Sequence, residues 1–255
     1  MLEVKQLTAS YPGNPVLRNV DLTVPEGKIT LVLGPNGCGK TTLLKALCGI
    51  LPANSGQVLL DGENILALPP RQTAQKIAYL AQCRQIPDIT VGRLVLHGRF
   101  PYLDYPRRYR KEDHAIAQAA MAQAGVSDLA DRLLTQLSGG QRQKAYIAMA
   151  LAQDTPVILL DEPTTYLDAA HQLQLLRQAR ELAQQGKTVV MVIHDLSRAF
   201  RAGDKLVLMQ DGTIAAEGTP EEIYAGGMAD RLFGIKLGRV ETDSGWQYYC
   251  EEESI

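Results

Sequence analysis

The stretch Gly34-Pro35-Asn36-Gly37-Cys38-Gly39-Lys40-Thr41 decides the fold of this chain. It has the G-x-x-x-x-G-K-T pattern of a phosphate-binding P-loop. The segment from Gly27 to Leu33 becomes apolar before the loop, and leucines at helical spacing follow it, so we predict a strand–loop–helix unit. Backbone N–H groups in such a loop turn toward phosphates, and the helix N-terminus adds partial positive charge. A chance glycine-rich turn is the alternative, and this context disfavours it.

The end of the loop carries the residues that act on a nucleoside triphosphate. Lys40 is predicted to reach the β- and γ-phosphates, and the hydroxyl of Thr41 is predicted to bind Mg²⁺. The loop therefore indicates a magnesium-dependent ATPase.

A second apolar stretch, Val157 to Leu160, ends in the carboxylates Asp161 and Glu162. Parallel sheets bind ligands at this end of their strands. Neighbouring side chains of an extended segment diverge, so the two acids can take different roles. We expect Asp161 in the Mg²⁺ shell, through a water molecule, and Glu162 as the base or orienter of the attacking water. The alternative is that both acids only cap the following turn.

A third motif, Leu137-Ser138-Gly139-Gly140-Gln141, precedes a predicted helix. Ser138 is suited to cap that helix, and the helix N-terminus is a second candidate anion site. An ordinary capped helix explains the same residues, and physical reasoning alone leaves both interpretations open.

Composition limits the class of protein. The chain has 255 residues, 45% of them apolar, and a net charge of −2, which gives no general attraction to nucleic acid or anionic lipid. No apolar run approaches the roughly 20 residues that span a bilayer, and the start has no signal-peptide pattern, so we expect a cytoplasmic protein. The cysteines have neither zinc-site nor disulfide spacing; they are Cys38, Cys48, Cys83 and Cys250.

The remaining pattern is that of an α/β protein. The apolar runs 157–160 and 188–193 suit central parallel strands, and Leu173, Leu176, Ala179 and Leu182 mark one face of a helix between them. Residues 87–153 are predicted to be mainly helical, and residues 205–215 to form a hairpin. The last twenty residues are predicted to pair as strands.

With these motifs in this order, the chain resembles the nucleotide-binding subunit of an ABC transporter over essentially its whole length. The motif at 137–141 carries most of this resemblance, because it separates the family from other P-loop ATPases. The resemblance implies a P-loop core with a mainly parallel sheet, an N-terminal antiparallel β subdomain and an inserted helical subdomain. One domain, 1–255, would comprise 1–86 and 154–255 as RecA-like core plus β subdomain, and 87–153 as helical signature subdomain.

The resemblance also implies roles that the residues alone do not show. Tyr11 would stack on adenine, Gln82 would sense Mg²⁺ or the lytic water, and His194 would contact the γ-phosphate and position Glu162. Glu162, His194 and Gln82 would be catalytic, and the metal would involve Thr41, Gln82 and Asp161. The implied nucleotide-binding residues are Tyr11, Gly34, Pro35, Asn36, Gly37, Cys38, Gly39, Lys40, Thr41, Thr42, Ser138, Gly139, Gly140, Gln141 and Asp168.

The same resemblance implies a homodimer with split sites. The Ser138 loop would bind the γ-phosphate of ATP held by the opposite subunit, and Asp168 would lie at the dimer seam. The partners implied are integral membrane permease subunits and, indirectly, a periplasmic or extracellular substrate-binding protein, with no nucleic acid. The chain would be peripheral on the cytoplasmic face of the membrane.

Shorter stretches of the sequence indicate which branch of the family the chain resembles, and thus the class of cargo. Residues 161–168 with His171-Gln172-Leu173, and residues 97–103, look like the branch that imports iron–siderophores, haem and cobalamin. Tyr166 departs from the smaller residue common in the wider family. A soluble ABC-type ATPase of a cytoplasmic assembly or remodelling complex is the rival hypothesis. A non-hydrolysing nucleotide sensor is disfavoured because Lys40, Asp161, Glu162 and His194 are present.

Residues 99–111 interleave basic and aromatic side chains. Such a mixture can bind nucleic acid, but nearby acids and the overall charge argue against it. We expect this segment to dock a short helix of the membrane partner, with a solvated loop as the alternative.

Overall fold

The computed structural model describes residues 1–81, 86–165, 167–243 and 245–252. Its N-terminal sheet is antiparallel and has the strand order β2-β1-β4-β5. These strands are β1 (Leu2–Tyr11), β2 (Asn14–Val24), β4 (Ala53–Leu60) and β5 (Glu63–Asn64).

The central sheet has the order β10-β9-β3-β8-β7-β6. Its strands are β3 (Ile29–Leu33), β6 (Ile77–Leu80), β7 (Val157–Asp161), β8 (Thr188–Val192), β9 (Lys205–Gln210) and β10 (Thr213–Gly218). The described pairs are parallel except for the hairpin of β9 with β10. The hairpin reaches Gly218, beyond the predicted residue 215. The predicted terminal pairing is confirmed as β11 (Ile235–Thr242) with β12 (Gly245–Glu252).

Helices cover both faces of the central sheet. The α-helices of the described residues are α1 (Lys40–Leu47), α2 (Pro70–Lys76), α3 (Val91–His97), α4 (Lys111–Ala124), α5 (Gly139–Ala152), α6 (Ala169–Gln184), α7 (Leu196–Ala202), α8 (Pro220–Ala225) and α9 (Met228–Phe233). Helices α3 to α5 follow one another between β6 and β7, in the stretch predicted to be helical. No helix in the described part of the chain is long and apolar enough to cross a bilayer.

Alternation along the strands divides the buried side chains between two cores. Val32, Leu159 and Val190 face a core shared with α1 and the N-terminal sheet. Leu31 and Leu160 face the other core, which α5 and α6 complete. Because successive strand residues point to opposite faces, these strands are apolar throughout, as a sheet covered on both sides requires.

Parallel pairing brings the predicted motifs to one edge of the sheet. In register, Val32 of β3 and Asp161 of β7 both lie opposite Val192 of β8. The P-loop follows β3, Glu162 follows β7 and His194 comes two residues after β8, so all three meet where the strands end.

Two details of the sequence interpretation are wrong. β8 ends at Val192, one residue before the predicted end at Ile193. Leu173 is 43% exposed and does not belong to the buried face of α6, which is formed by Leu175, Leu176, Ala179, Leu182 and Ala183. The period of the helix admits either set, and only packing against the sheet selects between them.

Arg99 is a structural residue within the segment predicted to dock a partner. It is buried, its Nε lies 3.1 Å from Asp113 Oδ1 in α4, and its Nη1 donates to the carbonyl of Ala152 at the end of α5. Arg99, which follows α3, therefore connects α4 through the ion pair and the end of α5 through the hydrogen bond. The prediction that residues 99–111 dock a helix of the membrane partner therefore does not extend to the side chain of Arg99.

Candidate active site

The P-loop has a backbone that side chains would prevent. Gly34 has φ +155°, and a Cβ on it would lie 2.4 Å from the carbonyl oxygen of Met209. Gly39 has φ +109° at the position before α1 and provides no side-chain cap for that helix. The first N–H groups of α1 are therefore available to an anion.

The turn between β9 and β10 supports this loop. The N–H of Gly212 donates to the carbonyl of Cys38 at 2.9 Å, and the N–H of Arg18 donates to the carbonyl of Gly212 at the same distance. The P-loop is thus fixed to the N-terminal sheet and to the hairpin.

Lys40 lies inside the loop. Its side chain is buried, and its Nζ donates to the carbonyls of Gly34 at 2.7 Å and Pro35 at 2.9 Å. These bonds hold the ammonium group against the backbone of the loop, where a phosphate oxygen can take the place of a carbonyl partner.

Thr41 and Asp161 form a pair of oxygen donors. Thr41 Oγ1 donates to Asp161 Oδ1 at 3.0 Å, across the space between α1 and β7. Mg²⁺ prefers hard oxygen ligands and is usually held by one or two carboxylates together with phosphates and water. The pair therefore fits the magnesium ion that the P-loop implies. No cluster of three or more His, Cys, Asp or Glu residues in the described chain could hold a metal.

Burial shifts the pKa of the Asp161 carboxyl group. Asp161 is 2% exposed, and burial raises the pKa of its carboxyl above the usual range, with hydrogen bonds from Thr41 and Tyr79 acting in the opposite direction. The hydroxyl of Tyr79 donates to Asp161 Oδ2 at 3.0 Å. Burial, and then the charge of Asp161, raise the pKa of Tyr79 well above its ordinary value, so it remains a donor at physiological pH.

The side chain of Glu162 contacts that of His194. Glu162 has φ +50°, a left-handed conformation that is unusual for a residue with a side chain and costs about 1–3 kcal/mol. Its Oε1 lies 2.8 Å from Nε2 of His194. The Glu162 side chain therefore has a partner outside the following turn.

The model of the family described as ABC transporter matches residues 17–165. The petrobactin import ATP-binding protein FpuD of Bacillus anthracis is 45% identical over 95% of this chain and 89% of its own length. The chain belongs to the ABC transporter family. The ferric enterobactin transport ATP-binding protein FepC of Escherichia coli K12 is 43% identical over 92% of this chain and 88% of its own length.

Solved structures agree with this assignment. A structure described as an inward-facing metal-chelate type ABC transporter has a TM-score of 0.84, 29% identity, and coverage of 98% of this chain and 96% of its own. The dimeric bacterial ABC transporter cassette MJ0796 has a TM-score of 0.76, 29% identity, and coverage of 86% and 99%. The α/β fold predicted from sequence is confirmed, and the protein is an ABC-type ATPase.

The signature motif of this ABC ATPase lies apart from the P-loop residues. Ser138 Oγ accepts from the N–H of Gln141 at 3.3 Å, and Gln141 Oε1 accepts from the N–H of Ser138 at 3.1 Å, which is a reciprocal cap of α5. Asp168 caps α6 by accepting from the N–H of His171 at 2.9 Å, and this bond lowers the pKa of Asp168. Ser138, Gln141, Asp168 and His171 line one pocket of about 410 Å³, together with Lys144.

The other predicted site residues differ in how far the structure describes them. Tyr11 ends β1 and is 38% exposed beside the turn to Asn14, where it is free to stack on a ring. Gln82 and Tyr166 lie outside the described residues. Sequence reasoning missed two features of this ABC ATPase: the bond from Tyr79 to Asp161 and the support of the P-loop by Gly212. The first had only the weak signal of a tyrosine near the end of a strand.

Proposed function

We propose that this chain is the ATP-binding and ATP-hydrolysing subunit of an importer for an iron(III)–siderophore. The proposal rests on one observation. Three elements of the site lie together at one edge of the sheet: Lys40, the Thr41–Asp161 pair and the Glu162–His194 pair. The cargo class is supported by relatives named for petrobactin, enterobactin and iron(3+)-hydroxamate. These names give no support to the haem and cobalamin alternatives.

In the proposed reaction, the P-loop N–H groups and Lys40 hold the phosphates of ATP at the N-terminus of α1. Thr41 and Asp161 would hold Mg²⁺, which would supply neutralisation of the phosphate charge. Glu162 accepts a hydrogen bond from the attacking water and aims it at the γ-phosphorus. His194 fixes the Glu162 carboxylate in this orientation and lies where it can contact the γ-phosphate.

We propose that the pocket lined by Ser138 and Asp168 receives the nucleotide bound by a second copy. The glycine-rich end of α5 offers N–H groups to a γ-phosphate, and Gln141 and Lys144 add polar donors beside it. ATP would then be held between two copies. Its hydrolysis removes a phosphate contact and allows the dimer to open.

The docking surface proposed for the membrane partner is a groove of about 660 Å³ beside α2. Phe100 is 44% exposed and Tyr105 is 96% exposed, both at this groove, and Arg71 and Arg107 add positive charge at its rim. Arg71 is held by bonds to Asp104 and to the carbonyl of Pro101. Exposed apolar and basic side chains suit a short helix with apolar and acidic residues. We propose residues 87–153 as the subdomain that carries the signature motif and the Phe100–Arg107 side of this surface, and α2 forms the other side.

A transport assay tests the proposed function. In a strain that lacks this chain, the wild-type protein is expected to restore uptake of radioactive iron supplied as a siderophore complex, and Glu162→Gln is expected not to. Glu181→Gln, the same change at an exposed position of α6, is the matched control and is expected to restore uptake. Recovery of the native protein only in soluble complexes, with normal iron uptake in its absence, would instead support the cytoplasmic remodelling ATPase.

A further inference from the structure

The carboxylate of Asp161 is held from both sides. Thr41 Oγ1 lies 3.0 Å from Oδ1, and the hydroxyl of Tyr79 lies 3.0 Å from Oδ2. We propose that Tyr79 is a positioning residue for metal binding, which fixes the Asp161 carboxylate so that Oδ1 serves the magnesium site. This inference rests on the proposed function, because it assigns Asp161 to the Mg²⁺ shell.

The central sheet explains why this tyrosine reaches this carboxylate. β6 runs parallel to β7, with Tyr79 opposite Leu159 and Leu80 opposite Leu160. Tyr79, Leu159 and Asp161 share the face of the sheet that packs against α1. The tyrosine ring can therefore extend along this face toward the end of β7 and place its hydroxyl beside Asp161.

Burial makes this hydrogen bond important. Asp161 is 2% exposed, so a carboxylate oxygen that loses its protein partner cannot easily gain a water in exchange. Lys40 directs its Nζ to the carbonyls of Gly34 and Pro35, whereas the hydroxyl of Tyr79 donates to Oδ2 of Asp161. Without that donor, rotation of the carboxylate would move Oδ1 away from Thr41.

The ring of Tyr79 also has a structural role, so a test of the hydroxyl must keep the ring in place. It lines a cavity of about 430 Å³ with Cys48, Ile77 and Gln153 among others. Replacement by phenylalanine keeps the ring and removes only the hydroxyl. Tyr248→Phe is the matched control, because it removes the hydroxyl of another tyrosine, which is 9% exposed and interacts with Arg239 in the terminal hairpin.

The experiment measures binding of Mn²⁺, a paramagnetic substitute for Mg²⁺, by electron paramagnetic resonance in the presence of saturating AMP-PNP. Tyr79→Phe is expected to raise the Kd for Mn²⁺ about tenfold, as loss of groups that orient metal ligands commonly does. Its affinity for AMP-PNP in EDTA is expected to match that of the wild type, because the P-loop contacts are intact. In steady-state hydrolysis, the Mg²⁺ concentration for half-maximal rate is expected to rise while kcat at saturating Mg²⁺ recovers.

The outcomes separate this inference from the proposed function. An unchanged Kd for Mn²⁺ in Tyr79→Phe would overturn the inference, as would an equal loss of AMP-PNP affinity in EDTA, which indicates a purely structural role. A similar rise in the Kd for Mn²⁺ in Tyr248→Phe would also overturn it. Failure of the proposed function looks different: the wild-type protein itself would then bind no Mn²⁺–AMP-PNP.

Discussion

Glu162 Oε1 and His194 Nε2 lie 2.8 Å apart, although one residue follows β7 and the other follows β8. The two strands are neighbours in the sheet, so their ends deliver an acid and an imidazole to the same point. The contact with His194 restricts rotation of the Glu162 carboxylate. The contact fixes the residue that is proposed to orient the attacking water.

His194→Ala tests that relationship. Loss of the imidazole is expected to lower kcat for ATP hydrolysis about 100-fold or more, because Glu162 is no longer held against the water that it orients. The measurement is phosphate release at saturating Mg²⁺–ATP. His114→Ala, at an exposed position of α4, is the control and is expected to keep the wild-type rate. Equal rates for His194→Ala and the wild type would contradict the assigned role.

Lys40→Ala tests the grip on the phosphates. The substitution removes the ammonium group that reaches the mouth of the P-loop, so ATP affinity is expected to fall at least about tenfold, as loss of a charge-assisted bond predicts. Isothermal titration calorimetry with Mg²⁺–ATP measures the change. Lys236→Ala removes an exposed lysine in β11 and is expected to bind ATP normally. A wild-type Kd in Lys40→Ala would refute the phosphate role.

Ser138→Arg tests the split site. Arginine at this cap fills the pocket shared with Asp168 and blocks the approach of a second copy's nucleotide. We expect ATP hydrolysis to be lost while the monomer still binds ATP, which equilibrium dialysis and phosphate release measure together. Hydrolysis at the wild-type rate would show that the signature loop has no part in the reaction.

Phe100→Glu tests the docking surface. A charge at this exposed aromatic position is expected to abolish co-purification with the permease subunits and to stop iron uptake. ATP binding by the isolated subunit should not change, because the groove is separate from the P-loop. Val240→Glu places the same charge at another exposed apolar position, which is 51% exposed, and is expected to leave assembly intact.

The buried ion pair of Arg99 and Asp113 is expected to matter for stability rather than activity. Arg99→Met leaves the buried carboxylate without its cation, which is expected to lower the free energy of unfolding by about 3–5 kcal/mol. Arg110→Met breaks an exposed ion pair with Asp104 and should cost no more than about 1 kcal/mol. Urea denaturation compares the two variants. Equal losses would contradict the structural role assigned to Arg99.

The parts of the site that sequence reasoning predicted are those defined by residues close together in the chain. The P-loop carries its strand, loop and helix in one short segment, and Asp161 and Glu162 end an apolar strand that is visible by itself.

The parts that could not be predicted depend on which strands become neighbours. Tyr79 and Asp161 are 82 residues apart and meet only because β6 pairs with β7. Arg99 belongs to a basic stretch that looks like surface, and its burial becomes evident only when α4 places Asp113 beside it. Neither contact has a periodic or compositional signal, so only the three-dimensional arrangement reveals them.

The oligomeric state of Glu162→Gln in the presence of ATP tests the split site and the role of Glu162 together. The substitution keeps the shape of the side chain and removes the charge that activates water, so ATP is expected to bind without being split. Multi-angle light scattering with nucleotide analysis should then find a dimer that holds two ATP molecules, and a monomer when ATP is absent. A Glu162→Gln protein that stays monomeric with ATP bound, or hydrolyses ATP at the wild-type rate, would contradict the split site and the role assigned to Glu162.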